Sequence, residues 1–296
     1  MALTEAISAA ISAALGVPFH ARAQRAIGGG CIHRAVSLED GARRFFVKVN
    51  EASAAPMFEA EADGLKAIAA SGTIRVPAAV TSGMAEGQAF LVLEFLDLGG
   101  RGDPREMGRA LAALHRSSGL HCGWRRDNFI GATAQLNAPD DDWPRFFATR
   151  RLQPQLEWAR QRGCSRKLHD EGMRLASEIR VFFAAYTPPP SLLHGDLWGG
   201  NAGNLADGTP VVFDPAVYWG DREADLAMTE LFGGFGGFGG GFLSAYREAW
   251  PIDPGYAVRK TLYNLYHVLN HFNLFGGGYA AQAENMVARL LAEVRA

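Results

Sequence analysis

The sequence predicts an α+β protein of two lobes, a small antiparallel sheet with one key helix followed by a mainly helical region. Its length of 296 residues exceeds one average domain. Short apolar runs joined by glycine-containing turns occupy residues 27–49 and predict neighbouring strands. From residue 103 onward, helix start signals and apolar residues at intervals of three and four predict helices instead. We therefore place the two lobes at residues 1–96 and 97–296.

Charge and composition argue against several functional classes. Lys and Arg total 29 against 31 Asp and Glu, so no basic field indicates binding to nucleic acid or to an anionic membrane. The 3 cysteines are too few and too scattered for a disulfide framework or a zinc site. No apolar run approaches membrane-spanning length, and the first residues lack the pattern of a signal peptide. We expect a cytoplasmic protein with no nucleic-acid or membrane partner.

The first lobe is predicted to begin with a helix over residues 5–15, capped by Thr4. Next come a strand, a loop that contains Gly28, Gly29 and Gly30, and two further strands. The backbone N–H groups of such a loop bind phosphates readily, because no side chain is in the way. Three glycines also make an ordinary flexible turn, and that alternative stays open.

Lys48 is a lone charge inside the otherwise apolar third strand and needs a partner if it is buried. The following helix starts near Pro56, which suits a first helical position. Glu61 falls inside the apolar stripe of this helix, whereas Glu59 lies on its polar face. We predict that Glu61 pairs with Lys48. The alternative is a surface helix that tolerates one Glu in its stripe.

Residues 74–77 and 89–96 are predicted to complete the sheet, the latter as a central strand. Residues 97–102 then link the lobes. If a nucleotide binds, the backbone groups expected to face its adenine are those of Glu94, Phe95 and Leu96.

The stretch from His194 to Asn201 follows a short apolar strand and has the spacing of a kinase catalytic loop, an Asp, four residues and an Asn. Asp196 is predicted to accept the proton of a substrate hydroxyl, and Asn201 to bind a divalent cation. Asp214 ends a second buried strand, where it is placed to bind the metal. Asp225 is predicted to accept hydrogen bonds from the backbone of the catalytic loop.

Other polar residues admit two interpretations. Trp124, Asp127 and Asn128 lie in a loop between helices and either bind ligand or form a satisfied turn with a packed Trp. Asp140–Asp142 predict a helix start and no metal site. Residues 233–241 predict a mobile glycine-rich loop, followed by two closing helices. Their aromatic residues are expected in the core, with His271 near a substrate pocket.

These motifs resemble the fructosamine kinase (ketosamine 3-kinase) family, within the protein-kinase-like group that includes the aminoglycoside and choline phosphotransferases. The resemblance is carried by residues 194–201, 213–216 and 218–228, with further matches at 46–49, 57–61, 127–131 and 265–271. It therefore covers nearly the whole chain. It implies a bilobal protein-kinase-like fold. The Asp-Pro-Ala sequence at 214–216 replaces the Asp-Phe-Gly of protein kinases, so we expect no regulation by an activation loop.

The resemblance also implies an activity. Members use ATP to phosphorylate the sugar 3-hydroxyl of a ketosamine, on a small amine or a glycated protein, and the unstable product releases the amine. By this likeness Lys48 holds the α- and β-phosphates, Glu61 orients Lys48, and Asp196 is the base. Asn201 and Asp214 bind Mg²⁺. The candidate substrate-binding residues are Trp124, Asp127, Asn128, Trp198, Trp219 and His271.

Alternatives remain open at this point. An aminoglycoside- or choline-type phosphotransferase would keep Lys48, Asp196, Asn201 and Asp214 but use a different acceptor pocket in the second lobe. A binding module would keep the fold without the chemistry. We expect a monomer. Cys31, in the glycine loop, is either a small residue that fills a turn or an oxidisable thiol that links two chains into a dimer.

Overall fold

A computed structural model describes residues 2–28, 32–231 and 238–295. Its α-helices are α1 (Ala2–Leu15), α2 (Ala55–Ser71), α3 (Pro104–His115), α4 (Trp143–Phe146), α5 (Gln153–Gln161), α6 (Arg166–Ser177), α7 (Glu223–Leu231), α8 (Phe242–Ala249), α9 (Tyr256–Phe275) and α10 (Tyr279–Glu293). Its β-strands are β1 (Ala23–Ile27), β2 (Arg34–Glu39), β3 (Arg44–Glu51), β4 (Ala79–Ala85), β5 (Gln88–Glu94), β6 (Asn128–Ile130), β7 (Thr133–Gln135), β8 (Ser191–Leu193), β9 (Ala202–Asn204), β10 (Pro210–Val212) and β11 (Tyr218–Gly220). None of the helices within the described ranges combines the length and apolar character needed to cross a bilayer.

Two compact units make up the chain. One comprises Met1–Asp103 and Ala202–Pro215, and the other comprises Pro104–Asn201 and Ala216–Ala296. The first unit thus includes a late segment, with β9 and β10, that the division at residue 96 assigns to the second lobe. The predicted α+β fold class is confirmed, because one unit is built on an antiparallel sheet and the other is mainly helical.

The sheet of the first unit has the strand order β1-β2-β3-β5-β4, and every neighbouring pair is antiparallel. Alternate residues of a strand point to opposite faces. Val47 and Val49 of β3 therefore belong to a buried cluster that includes Ile7 and Ile11 of α1. Lys48, between the two valines, projects from the opposite face.

Two predictions for the first unit are wrong. The first helix begins at Ala2, so Thr4 lies inside its first turn and bonds the side chain of Gln24 at 2.8 Å instead of capping the helix. Residues 74–77 do not form a strand of the sheet, since β4 begins beyond them at Ala79. Pro77 lacks the N–H that a sheet ladder requires.

The second unit contains α3 to α10 and two short antiparallel strand pairs, β6 with β7 and β8 with β11. Isolated bridges join some of its loops. The helix start at Asp140–Asp142 is confirmed, because the Asp142 side chain accepts the N–H of Arg145 at 2.8 Å. The prediction of two closing helices is wrong. Pro251 and Pro254 separate α8 from α9, and glycines 276–278 separate α9 from α10.

Some predictions fall outside the described residues. These are Gly29, Gly30 and Cys31 of the glycine loop, and residues 233–237 of the glycine-rich stretch. The aromatic residues of α9 do lie in the core, as expected: Tyr263 and Tyr266 are buried. They share that core with Arg151, whose guanidinium lies 4.1 Å from the centre of the Tyr218 ring.

Candidate functional site

Lys48 is the centre of the charged cluster of the first unit. Its Nζ lies 2.8 Å from Oε1 of Glu61 on α2 and 2.7 Å from Oδ1 of Asp214, just after β10. Lys48 itself is buried, and the Glu61 side chain is only 11% exposed. The structure therefore places Lys48 beside Glu61, the partner that the helical spacing predicted, and shows Asp214 as a second partner of Lys48.

The opposite charges of Lys48, Glu61 and Asp214 offset the free-energy cost of burying them. Burial lowers the pKa of Lys48, but the negative charges of Glu61 and Asp214 outweigh it and raise that pKa well above its ordinary value. Burial also raises the pKa of Glu61, and the charge of Lys48 opposes that shift. Lys48 is consequently a permanent cation, which is the form that binds phosphate.

Asp214 occupies an unusual backbone conformation. Its φ is 57°, in the left-handed region that residues other than glycine rarely adopt. Such strain concentrates at functional sites, where the surrounding structure maintains it. The Asp214 side chain is 44% exposed, so it can accept a ligand besides Lys48.

Asp225 organises the catalytic loop of the second unit. Its carboxylate accepts the backbone N–H of His194 at 2.7 Å and that of Gly195 at 2.8 Å. This is the role predicted for it. His115 of α3 approaches the same carboxylate, with Nε2 3.1 Å from Oδ2. Burial raises the pKa of Asp225, but the hydrogen bond and charge of His115 hold that pKa below its ordinary value.

Gly195 allows the chain to turn between β8 and Asp196. Its φ is +83°, and a Cβ at this position would lie 2.1 Å from the backbone oxygen of Ala216. The N–H of Ala216 donates to the carbonyl of His194 at 2.8 Å, which keeps the two segments close. Only glycine fits this turn.

Asp196 and Asn201 lie on one tight turn. Nδ2 of Asn201 donates to the backbone oxygen of Asp196 at 2.9 Å and is 3.3 Å from Oδ2 of its carboxylate. The N–H of Asp196 in turn lies 3.3 Å from Nδ1 of His194. Because the nitrogen of the Asn201 amide is used in this way, its oxygen remains as the acceptor for a cation.

The predicted magnesium ligands pass a test of their chemistry. The Asn201 amide oxygen and the Asp214 carboxylate are the hard oxygen donors that Mg²⁺ prefers. Within the described ranges, no group of three or more His, Cys, Asp and Glu could hold a metal by itself. Kinase sites need no such group, because phosphate oxygens and water complete the coordination.

Two of the predicted substrate residues lie side by side. Gly123 and Trp219 exchange two backbone hydrogen bonds of 2.8 Å, and this pairing places the Trp124 and Trp219 rings 5.9 Å apart. Trp198 covers Gly200, where a Cβ would approach its ring to 2.2 Å. All three indoles belong to the second unit, and we call them the aromatic set; within it Trp124 and Trp219 are in contact, and Trp124 is buried.

Comparison with known proteins decides the family. The family model described as fructosamine kinase matches residues 3–293. The chain belongs to the fructosamine kinase family. Among its relatives, a probable ketoamine kinase of Synechocystis sp. is 47% identical over 97% of this chain and 96% of its own. A chloroplastic protein-ribulosamine 3-kinase of Oryza sativa subsp. indica is 42% identical over 91% of this chain and 79% of its own.

Solved structures give the same result for the fold. A Haemophilus somnus protein whose name places it among the fructosamine-3-kinases has a TM-score of 0.87 at 29% identity, over 96% of each chain. An aminoglycoside phosphotransferase crystallised with ADP and hygromycin B has a TM-score of 0.63 at 14% identity, over 98% of each chain. The second likeness concerns the fold alone. The predicted family and the enzyme class, a phosphotransferase, are confirmed.

Other predicted residues of this fructosamine kinase family member are engaged within the protein. Oδ1 of Asp127 accepts the N–H of Asn137 at 2.7 Å. Asn128 is buried, and its Nδ2 donates to the Val217 carbonyl at 2.7 Å. Nδ1 of His271 lies 2.8 Å from the His267 carbonyl. Asp127 and Asn128 thus serve the loop itself, as the alternative interpretation expected, and substrate roles for all three residues stay predictions.

The segment predicted to face adenine also has internal partners. The N–H of Glu94 donates to the Ala78 carbonyl at 2.8 Å, and the Glu94 side chain forms an ion pair with Arg75. The guanidinium of Arg44 lies 4.2 Å from the centre of the Phe95 ring. Leu96 follows β5 and is half-buried, whereas Gly28, after β1 at the start of the glycine loop, is exposed.

Sequence reasoning missed two histidines near the functional residues. His115 sits in the apolar stripe of α3 and is completely buried against Asp225. The available signal was a polar residue in an apolar stripe. His33, next to the glycine loop, bonds Asn50 in the first unit. The signal for His33 in the sequence was its position directly after the glycine loop.

Proposed function

We propose that this chain transfers the γ-phosphoryl group of ATP, with Mg²⁺, to the sugar 3-hydroxyl of a ketosamine. The acceptor is a ribulosamine or fructosamine adduct, on a small amine or on a protein lysine. The observation that carries the proposal is the turn that holds the Asp196 carboxylate against Asn201, in a chain of the fructosamine kinase family. Phosphorylation at O3 would labilise the adduct and release the amine.

Lys48 is the proposed phosphate-binding cation. It is charged throughout the physiological pH range, and Glu61 holds its ammonium in one place. Phosphoryl transfer requires mostly positioning and neutralisation of charge. A fixed cation contributes to both, because it needs no reorganisation as charge moves towards the leaving phosphate.

Asp196 is the proposed general base. It accepts the proton of the sugar hydroxyl as the oxygen attacks phosphorus, and the turn from β8 to Asn201 fixes the direction of its carboxylate. Asp225 holds the N–H groups of the two residues before Asp196 and so keeps the base in position. Asp225 is a positioning residue.

Asn201 and Asp214 are the proposed magnesium ligands, through the amide oxygen and the carboxylate. When bound, Mg²⁺ neutralises the phosphate oxygens that carry the developing charge. In this structure Asp214 forms an ion pair with Lys48. With the nucleotide bound, the ammonium of Lys48 would interact with both the Asp214 carboxylate and the phosphate.

For the acceptor we propose the aromatic set of Trp124, Trp198 and Trp219. Aromatic faces bind the apolar faces of sugars, and they attract an ammonium or guanidinium group that is attached to the adduct. The aromatic set would suit an aminoglycoside as well, but that alternative rests on a likeness of fold alone, whereas the relatives at 47% and 42% identity are named a probable ketoamine kinase and a protein-ribulosamine 3-kinase. Cytoplasmic location, a monomeric state and the Cys31-linked dimer stay predictions.

The test is Mg²⁺-dependent release of ADP with ribulosyl-lysine, fructosyl-lysine and an aminoglycoside as separate acceptors. We expect turnover with a ketosamine, and its loss in Asp196→Asn with ATP affinity unchanged. Asp141→Asn is the matched control, since the Asp141 side chain is 77% exposed. Turnover of the aminoglycoside alone would contradict the acceptor. Equal loss of ATP binding and turnover in Asp196→Asn would contradict the base.

A further inference from the structure

His33 shares a face of the sheet with Lys48. Strand β2 pairs with β3 in a register that sets Arg34 opposite Val49 and Ala35 opposite Lys48. His33 is the residue directly before β2, and its ring reaches Asn50 of β3, with Nδ1 2.8 Å from the Asn50 Nδ2. Residues two apart in a strand lie on one face, and residues directly opposite share it. Lys48 and Asn50 are two residues apart on β3 and share a face, so His33, which is bonded to Asn50, lies on that face too, away from the valine cluster.

The Asn50 amide fixes which nitrogen of His33 carries the proton. Oδ1 of Asn50 accepts the N–H of Glu51 at 2.8 Å, and its Nδ2 lies 3.2 Å from the Ile32 carbonyl, which can only accept. These two partners determine the orientation of the amide. The same Nδ2 lies 2.8 Å from Nδ1 of His33. Nδ1 must therefore accept, and the neutral ring carries its hydrogen on Nε2.

The ring is held in this neutral form and in this place. Burial, and then the positive charge of Lys48, lower the pKa of His33 to about 4, while the charge of Asp214 opposes the shift. The Phe58 ring of α2 packs against the imidazole at 4.9 Å. Phe58 is one helical turn from Glu61, so the helix that positions Lys48 also supports His33. Among the described residues, no hydrogen bond to Nε2 is found.

We propose that His33 binds a phosphate oxygen of the nucleotide through Nε2–H, beside Lys48. The inference rests on the proposed function, because it takes ATP to be the ligand of Lys48. A neutral donor next to a fixed cation adds direction to the binding of the phosphate without further charge. It also explains why the chain orients an imidazole with an amide, when a lysine or arginine would suffice for charge alone.

The first test compares affinities for ATP and adenosine, each measured by calorimetry on the full chain. His33→Phe keeps a ring against Phe58 but removes the donor. We expect it to weaken ATP binding about 10-fold, as loss of a hydrogen bond to a charged group does, and to leave adenosine affinity unchanged. Unchanged ATP affinity would overturn the proposal. An equal loss for adenosine and ATP would also overturn it, since this would indicate a structural role for His33.

A second measurement does not depend on a variant that folds. Imidazole ¹⁵N shifts of the wild-type protein should show His33 protonated at Nε2 at pH 7, and Mg²⁺ with ATP should shift that resonance. A proton on Nδ1 would overturn the proposal. If the wild-type protein binds no ATP, both this inference and the proposed function fail. If it binds ATP and phosphorylates a ketosamine while His33→Phe binds ATP as tightly, only this inference fails.

Discussion

Nζ of Lys48 lies 2.7 Å from Oδ1 of Asp214, although one residue is on the third strand and the other follows the tenth. The contact exists because the segment of residues 202–215 belongs to the first compact unit. Val212 of that segment donates its N–H to the carbonyl of Arg75 at 3.0 Å. Lys48 thus neutralises two carboxylates, one from α2 and one from this late segment.

Removal of Lys48 should affect stability and activity separately. Lys48→Met leaves Glu61 buried without its cation, and loss of one partner of a buried pair costs about 3 kcal/mol. Turnover should fall about 100-fold or more, as it does when an electrostatic group at the reacting phosphate is lost. The double variant Lys48→Met with Glu61→Gln should recover stability but no activity. Urea unfolding and ADP release measure the two effects.

The control for this pair is an exposed one. Arg166 and Asp170 form an ion pair in which the side chains are 84% and 57% exposed. Arg166→Met should change the free energy of unfolding by less than about 1 kcal/mol. A Lys48→Met protein as stable as Arg166→Met would show that the buried pair contributes little. The double variant would then have no stability to recover.

Asp225→Asn should lower kcat more than it changes the KM for ATP. Asparagine keeps one acceptor oxygen, whereas the carboxylate now serves the N–H groups of His194 and Gly195 as well as His115. A loosened loop misplaces Asp196, and a displacement of this kind costs about 10-fold to 100-fold in rate. Steady-state kinetics with a ketosamine acceptor measures it. A change in KM alone would contradict the positioning role.

The same carboxylate predicts an acid limit for stability. The pKa of Asp225 is lower in the folded protein than its ordinary value. A group of this kind stabilises the fold above its unfolded pKa, and the contribution is lost as pH falls through the folded value. The difference in unfolding free energy between wild type and Asp225→Asn should therefore shrink below pH 4. A difference that is constant from pH 7 to pH 3 would contradict it.

Two glycines with similar backbone angles test the turn before Asp196. Gly195 and Gly163 have φ of +83° and +88°, but only at Gly195 would a Cβ collide, 2.1 Å from a backbone oxygen. Gly163→Ala should cost about 1 kcal/mol, the strain of the left-handed conformation. Gly195→Ala should cost more than about 4 kcal/mol or prevent folding. Thermal unfolding compares them, and equal costs would contradict the close packing at Ala216.

How far the sequence predicts this structure depends on whether a signal is local. The choice of Glu61 as the partner of Lys48 follows from the helix period, which a single segment contains. The return of residues 202–215 to the first unit, and the Lys48–Asp214 contact that results, depend on tertiary packing. Such packing leaves no periodic pattern of apolar residues in the sequence. Strand β4 was misplaced for a related reason, because apolar residues near Pro77 resemble a strand until the missing N–H is considered.

His33 shows the same limit at the site itself. The sequence places it after the glycine loop but does not reveal that Asn50 lies beside it. That fact requires the register of β2 on β3. His33 lies directly before β2, so its place beside Asn50 depends on how β2 pairs with β3. Its proposed role could therefore be inferred only from the paired strands.

A buried histidine of the second unit predicts how stability depends on pH. Burial, and then the charge of His271, lower the pKa of His267 from 6.5 to about 3, with Asp225 opposing. Between these values the unfolded chain binds the proton and the folded chain does not, so stability falls as pH decreases below 6.5. The loss approaches about 1.4 kcal/mol per pH unit. His267→Asn should lack this component.

The measurement compares urea unfolding at pH 7, 6 and 5 for wild type, His267→Asn and His20→Gln. Buried acids such as Glu61 and Glu223 have raised pKa values and change stability in the opposite direction, so the total slope alone is not diagnostic. They are present in all three proteins, however, and their effect cancels in the differences. His20 is exposed, and His20→Gln should follow wild type. If the pH dependence of His267→Asn matches that of wild type, His267 takes up its proton at the same pH in the folded and unfolded chains, and the core around α9 admits its charge.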